Sequence, residues 1–520
     1  MNTTDFLSVA SAICPDRDFI VFEKKRTTYL ETSENINKLA FALSSLGIEK
    51  GDRVGMLSVN CPQYIETYFA TAKTGAIFVP LNFRARADEL EYMLNASESK
   101  ALFVGERYLD MVKELLPRLS KLEYCISIDT PCEGMLDYTK LTDQDIDDEF
   151  FSEIEDDDTT ILMFTSGTTG RPKAVPLTHE SFSSYILENV DPADLEIEEK
   201  NVLTVPMYHV AGMQGMLAAA YGGRTLLLLK QFEVKEWLNT VQEERATRAM
   251  LVPTMLKQVI EHEDFFQYDL SSLEVITYGA AAMPFEVIKR AIVFFPHVSF
   301  INAFGQTETC STITTLGPED HHLEGTEKEK EKKLKRLSSS IGRPLQDVEI
   351  RIIDENGNPL PPNEVGEIVA QGPRIMSGYW GDEEKTAQAF TSDGWLRTSD
   401  RGWMDEDGYI YLAGRADDMI IRGGENISPV EVEEILSGHP KIEDVAVIGI
   451  QDEEWGQEPH AIVVLKEGET ATEGEIIAFC HDRLASFKQP RSVLFVDELP
   501  RSALGKLSRK ELVEKYRQDI

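Results

Sequence analysis

The sequence has few cysteines, and it lacks long apolar runs and any basic leader. Its 520 residues include only six cysteines, which are scattered without a Cys-x-x-Cys pair, so neither a disulfide framework nor a zinc site is indicated. No apolar run approaches the roughly 18 residues of a membrane-spanning helix, and no basic segment precedes the apolar N-terminal residues as in a signal peptide. The last residues, RQDI, differ from a Ser-Lys-Leu peroxisomal address. We therefore expect a cytoplasmic protein.

Positive charge is also scarce. The chain carries 52 Lys and Arg against 90 Asp and Glu, a formal net charge of -38, which argues against a nucleic-acid partner or an anionic membrane surface. An acidic field repels nucleotides, so any anion site needs local donors and a local cation. The length itself predicts roughly three structural units of about 150 residues each.

Helical and strand patterns alternate through the N-terminal part. In TYLETSENINKLAFALSSLG, apolar residues recur at helical spacing until Gly47, and DRVGMLSV then has the pattern of a buried strand. Pro62 opens a second helical pattern that ends at Gly75, and AIFVPL follows as another strand. ALFV at 101–104 and YCISI at 124–128 continue the alternation. Strand, helix and strand joined by short links predict βαβ units and a parallel sheet.

Two later segments have other patterns. Residues 324–340, EGTEKEKEKKLKRLSSS, are dense in charge with almost no apolar face, which predicts a solvated surface excursion; a basic anion-binding patch is the weaker alternative, because interleaved acids cancel most of the field. From Ser428 onward the pattern is compact α+β, with helices predicted for EVEEILSG and EGEIIAFCHDRLASF and strands for VAVIGI and HAIVVL.

The stretch TTILMFTSGTTGRPKAVPLTH, at 159–179, is a loop of small and hydroxyl residues between two apolar runs. Such a loop offers backbone amides, hydroxyls and one ammonium, which suits phosphate. It is not a Walker A loop, since that motif ends in Gly-Lys-Ser/Thr and opens a helix, whereas this loop is flanked by predicted strands. A flexible hairpin tip of turn formers is the alternative. The candidate ligands are Thr165, Ser166, Gly167, Thr168, Thr169, Gly170 and Lys173.

Further motifs follow in order: YGAAAMP at 278–284, NAFGQTET at 302–309, GWLRTSDRGWMDEDGYIYLAGRADDMIIRGGENISPVEVEE at 394–434, and PRSALGKLSRKEL at 500–512. With the phosphate-type loop, they make the chain resemble the adenylate-forming superfamily, and most closely its acyl-CoA synthetases, from about residue 25 to the C-terminus. The resemblance implies an α/β fold. Residues 1–416 would form a large N-terminal domain of parallel βαβ sheets with a β-barrel-like part, and residues 417–520 a small mobile α+β domain that rotates about Asp417.

The resemblance also implies a chemistry. A carboxylate is a poor electrophile, so joining it to AMP creates a mixed anhydride that a thiol can attack in a second, easier step. The expected activity is an ATP-dependent, AMP-forming acid:CoA ligase that uses Mg²⁺ and CoA. Alternatives are a ligase that loads a carrier protein, a light-emitting oxygen-using relative, and a catalytically silent nucleotide-binding protein. The expected partners are a small carboxylic acid, ATP and CoA, without nucleic acid or stable membrane insertion, and a homodimer is compatible with the sequence.

The family's catalytic roles transfer to four residues. Thr307 would contact the α-phosphate, and Glu308 would hold Mg²⁺, a hard cation that prefers carboxylate oxygen. Lys506 matches the catalytic lysine that reaches the carboxylate and α-phosphate from the small domain. His209 would line the route between the acyl pocket and the thiol tunnel, although a lone histidine is more often structural. Ala174 stands where the family usually has glycine.

The nucleotide roles transfer in the same way. Phe304, where the family commonly has tyrosine, would stack on adenine, and Asp400 with Arg415 would hold the ribose hydroxyls. The small residues of YGAAAMP would lie against the base, with plain helix packing as the alternative. The other predicted nucleotide contacts are Gly279, Ala280, Ala281, Asn302, Ala303 and Gly305.

For CoA, Gly423 and Gly424 would line the pantetheine tunnel, and Trp455, Phe487 and Arg491 would hold the nucleotide part. Gln489 stands where some relatives have a basic residue. The residues expected around the acyl pocket are apolar and of medium size, which indicates an aromatic, alicyclic or medium-chain carboxylate; they are Tyr208, Val210, Met213, Ala282 and Cys310.

Overall fold

The computed structural model of the chain describes residues 1–146, 148–165, 172–415, 418–422, 425–452, 455–481, 483–501, 507 and 509–516; the side chains of residues 415, 425, 426 and 510 fall outside this description. None of the helices in these ranges combines the length and apolar character that a bilayer crossing requires.

The helices of the described ranges are distributed over the whole chain. They are α1 Thr3–Ile13, α2 Tyr29–Ser45, α3 Pro62–Lys73, α4 Ala87–Ser97, α5 Leu109–Leu115, α6 Tyr138–Thr142, α7 His179–Asn189, α8 Val210–Tyr221, α9 Val234–Glu244, α10 Pro253–Glu261, α11 Phe285–Phe294, α12 Pro318–His321, α13 Glu327–Ser339, α14 Glu383–Ala389, α15 Pro429–Ser437, α16 Glu473–Phe479 and α17 Arg509–Tyr516.

The strands are mostly short. They are β1 Asp18–Phe22, β2 Lys25–Thr28, β3 Arg53–Leu57, β4 Ile77–Pro80, β5 Ala101–Val104, β6 Tyr124–Ser127, β7 Leu136–Asp137, β8 Thr159–Thr165, β9 Lys173–Thr178, β10 Lys200–Leu203, β11 Thr225–Leu228, β12 Arg248–Leu251, β13 Val275–Gly279, β14 Ser299–Gln306, β15 Ser311–Leu316, β16 Ser340–Pro344, β17 Glu349–Ile353, β18 Gly366–Gln371, β19 Leu396–Met404, β20 Ile410–Arg415, β21 Ile420–Arg422, β22 Glu425–Ile427, β23 Ile442–Asp452, β24 Gly456–Leu465 and β25 Ser492–Phe495.

The predicted βαβ units form a seven-stranded sheet in the order β7-β6-β5-β3-β4-β8-β9. Its strands are parallel except for β9, which runs antiparallel to β8. The predicted helix start and stop residues lie where expected. Pro62 occupies the first turn of α3, and Gly47 and Gly75 adopt positive φ beyond the ends of α2 and α3. At its start, α2 is capped reciprocally by Thr28 and Glu31. The parallel sheet predicted from the alternating patterns is thus confirmed.

A second, thirteen-stranded path runs β17-β18-β19-β20-β16-β15-β14-β13-β12-β10-β11-β1-β2. Strands β14, β13, β12, β10, β11 and β1 are parallel neighbours, whereas β15 to β20 pair antiparallel. This antiparallel block is the predicted barrel-like part, and in the described ranges its strand order is open rather than closed.

The two large sheets share one hydrophobic core. Phe78 of β4 and Leu226 of β11 belong to the same buried cluster, together with Phe69 of α3 and Met216 of α8. Helices therefore fill the space between the sheets, the arrangement that buries the apolar faces of both.

A five-stranded sheet, β22-β21-β24-β23 with β25 beside β24, forms most of the C-terminal part. The ammonium of Lys257 on α10 donates to Glu443 Oε1 of β23 at 2.5 Å, which links this part to the rest. The α+β pattern is confirmed, whereas one helix boundary was wrong. Helix α16 ends at Phe479 instead of continuing to Phe487, because the chain turns there and the Leu484 carbonyl accepts from the Gln489 side chain at 3.0 Å.

Most of the charged segment 324–340 forms helix α13, Glu327–Ser339, and much of its surface is exposed, as expected of a solvated excursion. Thr326 and Glu329 cap α13 reciprocally, and Leu337 is buried at its inner face. Arg336 extends from the same face to the buried Asp320 carboxylate, with Nη1 at 2.8 Å from Oδ1. The sequence pattern did not indicate this buried helix face, because one leucine and the aliphatic stem of one arginine supply most of its apolar surface.

Candidate active site

The predicted phosphate loop joins two strands of a hairpin. Strands β8 and β9 pair antiparallel, and Thr165 stands opposite Lys173 in the register, so both flanking residues are fixed at the loop's base. The strand-flanked setting is therefore confirmed. The predicted ligands Ser166, Gly167, Thr168, Thr169 and Gly170 lie outside the described residues.

The small residues predicted against adenine end a strand. Gly279 is the last residue of β13 and pairs with Ala303 of β14; a Cβ at Gly279 would lie 2.1 Å from the Ala303 carbonyl oxygen. Ala280 follows in the left-handed region with φ of 67°, and Ala281 lies in the irregular segment before α11. The alternative of plain helix packing is wrong for these residues, since none of the three lies in a helix.

The adjacent strand β14 carries Asn302, Ala303, Phe304 and Gly305. Gly305 is needed for close approach, because a Cβ there would overlap the Ser311 carbonyl oxygen at 1.6 Å. Asn302 donates to the Ser340 carbonyl at 3.5 Å, toward β16.

Thr307 and Glu308 lie in a single 3₁₀ turn, Thr307–Thr309, directly after β14. The Thr309 hydroxyl accepts from the Gln306 backbone N–H at 3.0 Å and fixes the turn. Cys310 then adopts a left-handed conformation with φ of 46°. The turn thus projects Thr307 and Glu308 from the carboxyl end of a parallel-sheet strand, the edge where α/β proteins bind ligands.

The predicted ribose residues meet as neighbours in a ladder. Asp400 of β19 pairs with Arg415 of β20, and Asp400 is buried. The side chain of Gln306 donates to the Thr398 carbonyl of β19 at 3.4 Å. Strand β19, with the predicted ribose residue Asp400, therefore lies beside the end of β14, although the Arg415 side chain falls outside the description.

A segment that the sequence analysis missed joins the phosphate hairpin to the Glu308 turn. The Trp380 N–H donates to the Ala174 carbonyl of β9, and the Met376 N–H donates to the Glu308 carbonyl, both at 2.9 Å. The Tyr379 hydroxyl donates to Glu308 Oε1 at 3.1 Å, and the Lys173 ammonium lies 4.7 Å from the centroid of the Tyr379 ring. Burial, and then the Glu308 charge, raise the pKa of Tyr379 well above its usual value.

This crosspiece, residues 374–386, is anchored at its start by an enclosed arginine. Arg374 is fully buried, and its guanidinium contacts the Asp347 carboxylate at 2.6 Å and donates to the Thr312 carbonyl. The segment GPRIMSGYWGDEEKT has no helical or strand period, so its pattern of apolar residues does not mark it as part of a site. An arginine followed by Gly-Tyr-Trp was the available signal.

His209 stands at the N-cap position of α8, and its ring packs on that of Tyr208 with centroids 4.1 Å apart. The segment before it is held by Asn60, another residue missed in the sequence: its Oδ1 accepts from the Met207 N–H at 3.0 Å, and its amide donates to the Val205 carbonyl at 3.2 Å. The structure thus fixes the backbone that presents His209.

The residues predicted around the acyl group divide into three locations. Val210, Met213 and Cys310 belong to one buried cluster, and Tyr208 lies in a neighbouring cluster against the Phe83 ring. Burial raises the pKa of Tyr208 to about 12, so its hydroxyl stays protonated. Ala282 is exposed and lies apart from both clusters.

Trp455 and Arg491, two of the three described CoA candidates, are connected through the charged side chains of Arg422 and Glu458, which form an ionic chain. The guanidinium of Arg422 lies 4.7 Å from the ring centroid of Trp455 and donates to Glu458 Oε1 at 3.1 Å, and Arg491 Nε lies 3.7 Å from the same oxygen. Trp455 remains 42% exposed, so its indole face is accessible. Phe487 packs at the edge of the small-domain core. Gly423, Gly424, the predicted hinge residue Asp417 and Lys506 lie outside the described residues.

The site suits a magnesium ion held mainly by substrate. Among the described residues, no group of three His, Cys, Asp or Glu side chains is gathered for a metal, and Glu308 uses one carboxylate oxygen toward Tyr379. Mg²⁺ is usually held by one or two carboxylates with phosphate oxygens and water. One partly exposed carboxylate near the Lys173 end of β9 fits that pattern.

Comparison with known proteins identifies the family. A family model described as AMP-binding enzyme matches residues 8–380, and one described as AMP-binding enzyme C-terminal domain matches 431–506. An indoleacetate–CoA ligase of Aromatoleum aromaticum is 32% identical over 98% of both chains, and a feruloyl-CoA synthase of Amycolatopsis is 35% identical over 94% of both. A solved anthranilate CoA ligase in complex with anthranoyl-AMP superposes with a TM-score of 0.88 at 27% identity, covering 99% of this chain and 97% of the other. The chain belongs to the AMP-binding enzyme family, with the two-domain fold of the adenylate-forming ligases.

Proposed function

We propose that this AMP-forming acid:CoA ligase acts on an aromatic carboxylic acid. In the first half-reaction a carboxylate oxygen attacks the α-phosphorus of ATP and pyrophosphate leaves. In the second, the CoA sulfur attacks the acyl carbon, the bond to the AMP oxygen breaks, and acyl-CoA and AMP are released.

The observation that supports the assignment of the site is the convergence of three segments at one place. The end of β14 carries Phe304 and the Glu308 turn, β19 with Asp400 lies beside it, and the crosspiece brings the Lys173 end of β9 to Glu308. A base, a ribose and a chain of phosphates need an aromatic face, an acid for two hydroxyls, and amides with a cation, in that order. We infer that ATP lies along this line.

Each residue then has a defined task. Lys173 and Thr165 hold phosphate oxygens at the hairpin base, and Thr307 donates to the α-phosphate as negative charge develops there. Glu308 would hold the metal, which when bound would supply positive charge to the phosphates. Lys506 would add a second cation at the reacting carboxylate. We propose that the small domain, residues 417–520, rotates about Asp417 so that Lys506 withdraws before the thiol enters.

The thiol side rests on the exposed indole of Trp455 and the ionic chain behind it. Arg422 and Glu458 orient that indole, and Arg491 is placed to contact a phosphate of CoA. Gln489 stands where some relatives have a basic residue, so it adds no positive charge here, and its amide donates to the Leu484 carbonyl.

The aromatic substrate is inferred from the apolar residues Val210 and Met213 near His209, and from relatives named for indoleacetate, ferulate and anthranilate.

We further propose a cytoplasmic location, in line with six free cysteines.

A substrate panel tests the proposal. The enzyme is incubated with ATP, Mg²⁺ and CoA against benzoates, cinnamates and arylacetates, with cyclohexanecarboxylates and C4 to C12 fatty acids for comparison, and thioester and AMP are quantified. We expect the highest kcat/KM for an aromatic acid. Preference for a C8 or C10 chain would contradict the substrate class, and nucleotide binding without pyrophosphate exchange for any acid would contradict the enzymatic assignment. Adenylate formation with transfer only to a carrier protein would contradict the role of CoA.

A further inference from the structure

We propose that Tyr379 is a positioning residue for adenylation, whose hydroxyl orients the Glu308 carboxylate toward the metal while its ring holds the Lys173 ammonium beside the phosphates. The proposal rests on the proposed function and adds to it a residue outside the motifs that suggested that function.

The hydroxyl and the ring contact two different groups. The O–H donates to Glu308 Oε1 at 3.1 Å, which leaves Oε2 to bind a hard cation. The ring faces the Lys173 ammonium, 4.7 Å from the centroid, within the range of a cation–π interaction. One side chain therefore contacts both the Glu308 carboxylate and the Lys173 ammonium.

The backbone that carries this ring is fixed from several sides. The Tyr379 N–H donates to Thr386 Oγ1 at 2.9 Å, and that hydroxyl donates onward to the Asp382 carbonyl at 2.8 Å. The neighbouring N–H of Trp380 bonds β9. The ring is thus placed relative to the Lys173 strand by the backbone and relative to Glu308 by its own hydroxyl.

The Tyr379 ring affects whether the Lys173 ammonium and the Glu308 carboxylate pair with each other. A lysine and a glutamate close together usually pair with each other, which would remove both from substrate. In the part of the chain that the structure describes, Lys173 forms no salt bridge; Asp382, whose pKa is lowered by its bond to Lys385 and also by the Lys173 charge, pairs instead with Lys385 at 2.5 Å. The ring attracts the ammonium without neutralising it, so Lys173 and Glu308 both stay available to phosphate and metal.

Metal binding gives the first test. Mn²⁺ replaces Mg²⁺, and its binding with a non-cleavable ATP analogue is followed by electron paramagnetic resonance in wild type and Tyr379→Phe. Loss of a hydrogen bond to a charged, partly solvated group should weaken Mn²⁺ binding by about tenfold, the lower end of the range for such bonds. Binding of the analogue without metal should stay unchanged. Trp380→Phe is the matched control, because the Trp380 contact to β9 uses the backbone and its side chain is 39% exposed.

The half-reactions give the second test. Tyr379→Phe should lower Mg²⁺-dependent pyrophosphate exchange about tenfold and leave thioester formation from synthetic acyl-AMP within twofold of wild type; Tyr379→Leu, which also removes the ring, should in addition raise the KM for ATP. Unchanged Mn²⁺ binding and exchange in Tyr379→Phe would overturn the proposal, as would equal loss in both half-reactions. Absence of pyrophosphate exchange in the wild type would instead contradict the proposed function.

Discussion

The close approach of β13 and β14 makes Gly279→Ala a sharp probe of the adenine site. The new methyl group would lie 2.1 Å from the Ala303 carbonyl oxygen, whereas real Cβ contacts stay beyond 3.0 Å. The obstacle is backbone, so no side chain can rotate away, and the strands must separate by roughly an ångström. Overpacking of this kind costs about 2–3 kcal/mol, the upper part of the usual range.

The strain falls where Ala280 and Ala281 would contact the base, next to Phe304. Losing one stacking contact, worth about 1–3 kcal/mol, should weaken ATP binding by about tenfold, since a factor of ten corresponds to about 1.4 kcal/mol. Urea unfolding gives the stability change, and calorimetric titration with ATP gives the affinity. The control is Gly474→Ala in α16, where a Cβ meets nothing within 4 Å and helix propensity should hold or raise stability. Wild-type ATP affinity in folded Gly279→Ala would refute the placement of the base at this strand end.

Three further outcomes are expected. Lys506→Ala should lose adenylation by roughly 10²-fold or more, the scale of one preorganised charge-stabilising donor, yet still convert preformed acyl-AMP; pyrophosphate exchange near wild type would contradict its role. Asp417→Pro should still make acyl-AMP but transfer it slowly, because proline restricts the backbone rotation; equal loss of both half-reactions would make Asp417 a structural element. Finally, burial lowers the pKa of His321 from 6.5 to about 4, so its contribution is complete above pH 6.5 and is lost as pH falls toward 4. The free energy of unfolding should fall by about 3 kcal/mol over that interval from this residue, and by correspondingly less in His321→Gln.

Local chemistry made much of the fold predictable from the sequence. Pro62 and Gly75 bound a helix because proline suits the first turn and glycine the left-handed end, and the alternation of such helices with short apolar runs leads to a parallel sheet. The sequence did not indicate the end of α16 at Phe479, because the amphipathic pattern continues past it. In the structure the chain turns after Phe479, and the Gln489 side chain donates to the Leu484 carbonyl five residues earlier.

The site was predictable where motifs are contiguous. Thr307 and Glu308 follow Phe304 within one short stretch, and their common placement was expected. The crosspiece was missed because its contacts join segments that are far apart in the sequence. Tyr379 contacts Glu308 across 71 residues, and Arg374 contacts Asp347 across 27. Asn60 shares this property, since it supports the His209 segment from a distant loop. Contacts between distant segments leave no periodic signal in one sequence.

Transfer of oxygen from the acid to AMP tests the central claim most directly. The preferred acid from the panel, labelled with ¹⁸O in its carboxylate, is converted with ATP, Mg²⁺ and CoA, and the products are examined by mass spectrometry. Because the carboxylate oxygen attacks the α-phosphorus and stays with AMP when CoA displaces it, the account predicts one ¹⁸O in the AMP and none in the pyrophosphate. Unlabelled AMP, or label in inorganic phosphate with ADP as the product, would contradict an acyl-AMP intermediate.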